Sequence, residues 1–386
     1  MTLALKYNLP SLLGRWRSTL TAVLGIALTV AVFVLVMALA NGLRATYLNT
    51  GDSRNLLVLR KGALAESSSQ ITLDEVQRTK CLEGIARDVK GEPLASAEVI
   101  ILVTMNRNGG SKAHVQVRGI GPTGGQLRPQ VHLVEGRWFR PGLRECVVSR
   151  RVAGRFHNCA LGQTLRSGKL AWTVVGLFDA RKTAYDSEIW VDADEAREAF
   201  TRSFYCSMLI QPVDEAAAVS LIERIESDQR IRLRALTETG YYEEQTKIAK
   251  PIRWVGTCLV LIMGMGAAFS AMNTMYAAVG ARAREIGLLH MLGFSRGSIC
   301  LAFMLESLLV ALVGGALGCL VSLPLQGLAT GTFNWRTFAE VAFEFRITGG
   351  LLAGGLAFAA AIGLLGGFLP ARLAARKPGR DAPGAI

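Results

Sequence analysis

Four long apolar runs, at 19–43, 254–279, 298–323 and 350–371, constrain this 386-residue chain more than any other feature. Each is near or above the ~20 residues that an α-helix needs to cross a bilayer. A backbone inside hydrocarbon must satisfy its own hydrogen bonds, which restricts such isolated runs to helices. Charged residues make up 19% of the chain, against ~25% in soluble globular chains. Between the first two runs, residues 44–250 carry mixed charge, short alternating segments and Gly/Pro turns. That length suits one or two small domains. The expected fold is therefore an α-helical membrane protein with four transmembrane helices and an α+β domain inserted between the first and second. The first run ends in Ala38-Leu39-Ala40, an A-x-A pattern. Thr19–Leu39 nevertheless exceeds the ~7–15-residue apolar core of a signal peptide, so a retained anchor is expected.

Basic residues orient the spans. Lys6, Arg15 and Arg17 precede the first, Arg282, Arg284 and Arg296 lie between the second and third, and Arg372, Arg376, Lys377 and Arg380 follow the fourth. The segment between the third and fourth has Arg336 and Arg346 balanced by Glu340 and Glu344. Four spans with both termini in the cytoplasm satisfy the positive-inside pattern and make the inserted domain extracytoplasmic. About eight of the +13 net charges belong to the cytoplasmic segments, where anionic headgroups attract them. Membrane lipid accounts for the basicity, and no nucleic-acid partner is implied.

The chain offers no enzyme constellation. Its four histidines, His114, His132, His157 and His290, are scattered, and no C-x-x-C occurs. Gly168-Lys169 lacks the spacing of a phosphate loop, because Gly162 stands one residue too early and Leu170 replaces Ser or Thr. No catalytic, cofactor or metal residue is nominated. Of seven cysteines, Cys81, Cys146, Cys159 and Cys206 fall in the outside domain. Cys146 and Cys159, close in sequence, form the candidate disulfide there.

The spacing predicts an organisation along the chain. An amphipathic segment occupies 1–18, the first span and stalk 19–47, the outside domain 48–237, a stalk helix 238–253 and the second span 254–279. A short charged connector occupies 280–297, the third span 298–323, a short loop 324–349, the fourth span 350–371 and a tail 372–386. Strands are expected at 55–63, 97–105, 113–122, 172–178, 187–192 and 207–212, with helices at 73–89, 193–200 and 214–228, Asp192 capping the second of these. Small residues recur four apart in the spans, at Gly264 and Ala268, Gly314 and Gly318, Gly350 and Gly354, and Gly363 and Gly367. Such spacing lets helix backbones approach closely, within the chain or with a second copy. Glu306 lies about two turns into the third span and must find a partner, with Arg282 or Arg284 in reach if the connector folds back.

The connector and its surroundings carry a resemblance. Asn273, Arg282-Ala283-Arg284-Glu285-Ile286-Gly287, Leu292-Gly293-Phe294, Arg296, Glu306 and Gly314-Gly315 with Gly318 resemble the permease module of the FtsX/MacB superfamily of ABC transporters. "LPARLAARKPG" at 369–379 resembles the family's C-terminal pattern, with a more basic end. "NLLVLRKGA", "VRGIGP", "VEGRWFRPG" and "TVVGLFDA" resemble its extracytoplasmic core domain. The resemblance implies a bacterial inner-membrane permease subunit without enzymatic activity of its own, paired with a second copy or a homologous permease. A separate cytoplasmic ABC ATPase would supply ATP and Mg. The ATPase would meet the connector at Arg282, Arg284, Glu285, Ile286, Leu289, Leu292, Gly293 and Phe294. A periplasmic adaptor stays open as a further partner. Export, or extraction of substrate from the periplasm or outer leaflet, is the implied work. Regulation of extracytoplasmic cell-wall enzymes is the alternative.

Overall fold

The computed structural model describes residues 16–167, 170–247, 249–333 and 340–376. The amphipathic segment expected at 1–18 falls mostly outside them, as do Gly168-Lys169 and the tail after Arg376. The chain divides into a helical unit and an α/β unit, the latter formed by Leu43–Ile248 with Ala329–Phe343. Helix α1 (Trp16–Leu48) has 33 residues. At 1.5 Å per residue it is ~50 Å long, well beyond the ~30 Å of a bilayer core. Its first part belongs to the helical unit and its last turns to the α/β unit, as the expected run-on beyond the first span requires.

The α/β unit opens with β1 (Leu56–Arg60), β2 (Ile71–Thr72) and α2 (Leu73–Lys80). Thr72 and Glu75 form a reciprocal capping box that starts α2. The helix expected through residue 89 stops at Lys80. Gly84 takes a left-handed φ of +97°, and Ile85 bridges to Pro212 instead. Then come β3 (Ala95–Asn106), β4 (Lys112–Ile120), β5 (His132–Gly136), β6 (Glu145–Ser149), α3 (Arg150–Arg155), β7 (Thr164–Ser167), β8 (Leu170–Asp179) and β9 (Glu188–Asp192). Helix α4 (Ala193–Ala199) starts at Asp192, whose carboxylate accepts from the Asp194 and Glu195 amides as expected of an N-cap. After it follow β10 (Phe204–Tyr205), β11 (Ser207–Ile210), α5 (Glu215–Ser227), β12 (Leu233–Thr237) and α6 (Glu238–Thr246). The large sheet has the order β12-β1-β11-β3-β4-β9-β6-β8-β5, with β7 also on β8. It is mixed, β4 with β9 and β6 with β8 being parallel. The stalk expected at 238–253 is not one helix. Tyr241, Tyr242 and Gln245 are buried, so α6 is docked into the α/β unit.

A polar network missed in the sequence lies within this unit. Arg118, fully buried, makes paired hydrogen bonds to Glu66 and to Glu188 at 2.8–3.0 Å and one to Glu98 at 2.7 Å. Arg128 takes both oxygens of Glu98 at 2.6 and 2.8 Å. Burial disfavours the charge on Arg118, but Glu188, Glu66 and Glu98 outweigh it and hold its pKa well above the ordinary value. Burial likewise opposes ionisation of Glu66, and the Arg118 charge wins, lowering its pKa.

The helical unit continues with α7 (Ala249–Ala281), α8 (Ala283–Met291), α9 (Arg296–Ser322) and, beyond a hairpin of β13 (Ala329–Phe333) and β14 (Glu340–Glu344), α10 (Gly349–Arg376). Four helices, over Thr19–Leu48, Arg253–Ala281, Arg296–Leu325 and Gly349–Arg376, are long and apolar enough to cross a membrane. Glycines set their approach. A Cβ on Gly318 would collide with the Ala27 carbonyl of α1, and one on Gly314 would stand 2.9 Å from the Val23 carbonyl. Gly363 and Gly367 meet Ala311 and Ser307 of α9 in the same way, at 2.5 and 2.6 Å, and Ser307 Oγ donates to the Gly363 carbonyl at 2.7 Å. Gly264 faces the Phe358 ring, and a Cβ on Gly366 would stand 2.9 Å from the Ala268 carbonyl. The Gly350–Gly354 pair is different. Gly350 has open space around it and Gly354 only a 4.0 Å contact to Phe33, while Gly355, one residue on, packs against Val34 and Cys319. Gly355 lies ~100° around the helix from Gly354, so the face that packs within the chain at this level is the one carrying Gly355.

Candidate functional site

The connector between the second and third long helices is a built structure. Helix α7 ends at Ala281, Arg282 turns the chain, and α8 follows. Glu285 in its first turn suits the positive end of the helix dipole. The helix closes with a Schellman pattern: the Phe294 amide reaches the Leu289 carbonyl and the Gly293 amide the His290 carbonyl, both at 3.1 Å. Gly293 sits at φ +85°, a conformation that a side chain disfavours. This is the physical reason for the Leu-Gly-Phe run. Ser295 then caps α9 by accepting from the Ser298 amide at 3.2 Å.

Two devices fasten α8 to the long helices. Ile286 is buried at 2% exposure among Met275, Val279, Ile299, Phe303, Ala371 and Ala374, which come from α7, α9 and α10. Arg282 Nη1 donates to Glu306 Oε2 at 3.1 Å, with Glu306 buried and the Arg282 side chain 17% exposed. Of the two arginines expected to reach Glu306, Arg282 does so. It also lies 3.7 Å from Glu285, whose side chain is 71% exposed.

The opposite face is bare. Leu288, Leu289, Met291, Leu292 and Phe294 are 37–74% exposed, and Arg284, Glu285 and Arg296 are exposed around them. The nominated residues thus separate: Ile286 and Arg282 brace the connector, while Arg284, Glu285, Leu289, Leu292 and Phe294 face outward. Leu288 and Met291 belong to the same apolar face and were missed. Their i,i+3 spacing to each other, and to Glu285, was the available signal. The nominated Cys146 and Cys159 lie in the α/β unit, both buried and both free, so the candidate bridge is not formed in the structure. Among the described residues no cluster suits a metal ion.

Residues 19–228 match the family model of a MacB-like periplasmic core domain, and 257–379 that of an FtsX-like permease C-terminal region. Neither matched model is an ATP-binding one. A macrolide export ATP-binding/permease protein MacB of Bdellovibrio bacteriovorus is 26% identical over 389 residues, covering 92% of this chain and 57% of that protein. The chain therefore spans about half the length of such relatives. An ABC transporter permease of Bacillus subtilis, YknZ, is 23% identical over 401 residues and is covered over 96% of both chains. The crystal structure of the periplasmic region of MacB from Actinobacillus actinomycetemcomitans aligns with 50% of this chain and 92% of its own, at 12% identity and a TM-score of 0.39.

Proposed function

Because the chain belongs to the family of FtsX-like permeases with a MacB-like periplasmic core domain, we propose that it is the membrane subunit of an ABC transporter driven by a separate cytoplasmic ATPase, which binds ATP and Mg. The ATPase seats on the outward face of α8 and its C-cap. ATP-driven motion passes through the long helices to the α/β unit, which handles substrate on the far side of the bacterial inner membrane. Export is the direction adopted, in line with the macrolide export named for the MacB relatives. Two permeases, identical or homologous, make the working pair, and an extracytoplasmic adaptor is a compatible partner. Both termini and α8 face the cytoplasm, a placement supported by Arg282, Arg284, Arg296, Arg372 and Arg376.

One observation carries this reading. A short helix presents an apolar face, Leu288, Leu289, Met291, Leu292 and Phe294, ringed by charge, while its inner face is anchored by Ile286 and Arg282. Apolar side chains flanked by charge, on a rigid base, are what a protein-binding surface needs. Positive-inside charge alone explains neither the exposed leucines nor the Schellman closure.

The test separates binding from folding. Leu292 is 74% exposed, so Leu292→Asp costs the isolated permease little. In a closed contact it forfeits about 1.5–3 kcal/mol of apolar burial, roughly tenfold to a hundredfold in affinity. Glu285→Lys adds repulsion at the same edge and breaks only an exposed pair, worth about 0–1 kcal/mol. Both variants should insert and pair normally yet lose co-purification of the ATPase and its turnover. Unchanged capture and turnover in both would remove the docking role from this face.

A further inference from the structure

The α/β unit concentrates basic charge at one end of its large sheet. No Asp or Glu occurs at 99–134 or at 146–178, while Arg107, Lys112, Arg150, Arg151 and Arg155 fall within these stretches. The fold joins those residues. The tip of the β3–β4 hairpin lies against α3: Arg107 bridges to Phe156, the Asn108 amide donates to the Arg155 carbonyl at 2.9 Å, and Asn108 Nδ2 donates to the Gly154 carbonyl at 3.1 Å. Lys112 and Arg150 are exposed, and Arg107, Arg151 and Arg155 are half-buried. Arg151 and Arg155 border a notch also lined by Val115, Val152 and Phe156.

The acid in that lining is Asp186, which is 2% exposed and already engaged. Its carboxylate accepts from the Ala180 and Lys182 amides, both at 2.8 Å, and lies 3.5 Å from Arg151 Nε. The loop drawn around it holds Arg181 and Lys182 in left-handed backbone, at φ +51° and +65°, with both side chains exposed. Asp179, half-buried, accepts from the Arg181 amide at 2.8 Å. Two more cations thereby join the same end.

This is also the end at which α1, whose last turns from Leu43 belong to the unit, arrives. Strands β4 and β9 are parallel with Gln116 opposite Glu188, so Lys112–Val115 run past the start of β9 on the side of Asp186 and Ser187. Ser149 Oγ, at the end of β6, donates to the Asp186 carbonyl, which sets α3 on that side too. Thr50, just beyond α1, accepts there from the Ala184 amide through its hydroxyl and from Gln130 Nε2 through its carbonyl, both at 2.8 Å. The apolar run at 19–43 ends about 10 Å of helix before Thr50. A headgroup layer is about 5–7 Å thick and its field reaches about 8–10 Å beyond it.

We propose that this end of the α/β unit docks onto anionic phospholipid headgroups of the leaflet from which α1 emerges. Arg151 and Arg155 take phosphate oxygens, whose geometry suits the guanidinium fork. Lys112, Arg150, Arg181 and Lys182 add attraction around them. A bilayer fits this surface better than a protein partner does. Among the described residues, no exposed large apolar side chain falls at 104–115, 149–158 or 179–187, so the surface lacks the apolar centre of a protein interface. Basic charge of this kind draws an anionic leaflet at about fivefold in affinity for each residue close to it. The inference needs α1 to cross the membrane and is independent of the ATPase-docking reading.

The experiment is hydrogen exchange of the full chain in nanodiscs of phosphatidylcholine, alone or mixed with phosphatidylglycerol, at low salt. Peptides over 107–114 and 150–157 should exchange more slowly in the anionic discs, and one over Val99–Val103 of β3 equally in both. The difference should vanish at about 1 M salt, where screening shortens to about 3 Å. Lys112→Gln combined with Arg150→Gln should lower the ratio of docked to free surface about twenty-five-fold, at fivefold for each charge, with Val99–Val103 unchanged. Equal exchange in the two kinds of disc overturns the proposal. So does slowing that survives 1 M salt or that the double variant keeps. Inorganic phosphate in phosphatidylcholine discs separates a free anion from a headgroup: slowing as large as that given by phosphatidylglycerol overturns the bilayer source. Slowing by polyglutamate, with none from phosphatidylglycerol, overturns it in favour of an acidic polypeptide.

Discussion

The Arg282–Glu306 pair offers the most direct measurement of what holds the connector in place. At 3.1 Å and an effective dielectric of about 20, Coulomb attraction is about 5 kcal/mol before desolvation is subtracted. Subtracting it leaves a net value nearer that of a hydrogen bond to a charged group, about 1.5–3 kcal/mol. Arg282 is partly relieved by its 17% exposure and by Glu285 at 3.7 Å, so loss of Glu306 falls at the lower end of that span. Glu306→Leu should therefore open α8 roughly tenfold more often, read as faster exchange of the Ile286 and Leu289 amides. Glu306→Gln keeps an acceptor and should cost about half as much. The discriminating quantity is the coupling in a double-mutant cycle with Arg282→Met. A value above about 1 kcal/mol supports a working brace, whereas strict additivity, within about 0.3–0.5 kcal/mol, refutes this reasoning and leaves Ile286 as the anchor.

Two further outcomes follow from the packing. Gly318→Val, which drives a side chain into the Ala27 carbonyl, should cost about 1–3 kcal/mol or more and lower the melting temperature in detergent, while Gly350→Val, in open space, should leave it unchanged. Alkylation at pH 8 followed by mass spectrometry should label exposed Cys81 at once. It should leave Cys146 and Cys159 unmodified until unfolding, because burial suppresses both thiolates and raises the Cys159 pKa to about 12; a linked Cys146–Cys159 peptide would contradict the free thiols.

Much of the architecture was legible in the sequence, for identifiable reasons. The four long helices follow from uninterrupted apolar length, and the strand of "AEVIILVTM" from a buried β-branched run that becomes the centre of β3. Capping chemistry placed Asp192 correctly, because an acceptor before a short helix has one obvious use. Local pattern failed where a tertiary contact overrode it. Apolar residues beyond Lys80 keep helical spacing, yet the helix stops at Lys80, and Ile85, after Gly84 at φ +97°, is drawn to Pro212. Tyr241 and Tyr242 read as part of an exposed stalk, yet both rings are buried, Tyr242 against Tyr47 and Tyr185. Small-residue spacing located a packed face on each helix but could not fix which neighbour it met. Gly350 and Gly355 differ in environment for a reason that lies on α1, not on their own helix.

The buried charges were the hardest feature to read, and the reason bears on what they do. Arg118 draws its partners from 20, 52 and 70 residues away, so no window of sequence contains the network. One local trace existed: Glu98 and Arg118 each interrupt a strand whose adjoining residues are buried, and Glu188 opens a strand buried throughout, positions where an unpaired charge would be prohibitive. A charge tolerated there must have an opposite charge beside it. Pairing of this kind contributes little net stability compared with apolar packing, but it tolerates few alternative arrangements. Glu238 lies beside this network and takes its hydrogen bonds from Asp52, Asn55 and Tyr185 instead of from a guanidinium. The connector α8 shows the same division at the other kind of site. Ile286 supplies a contact indifferent to charge, and Arg282 supplies one that a substitution at Glu306 can weaken without unfolding four long helices.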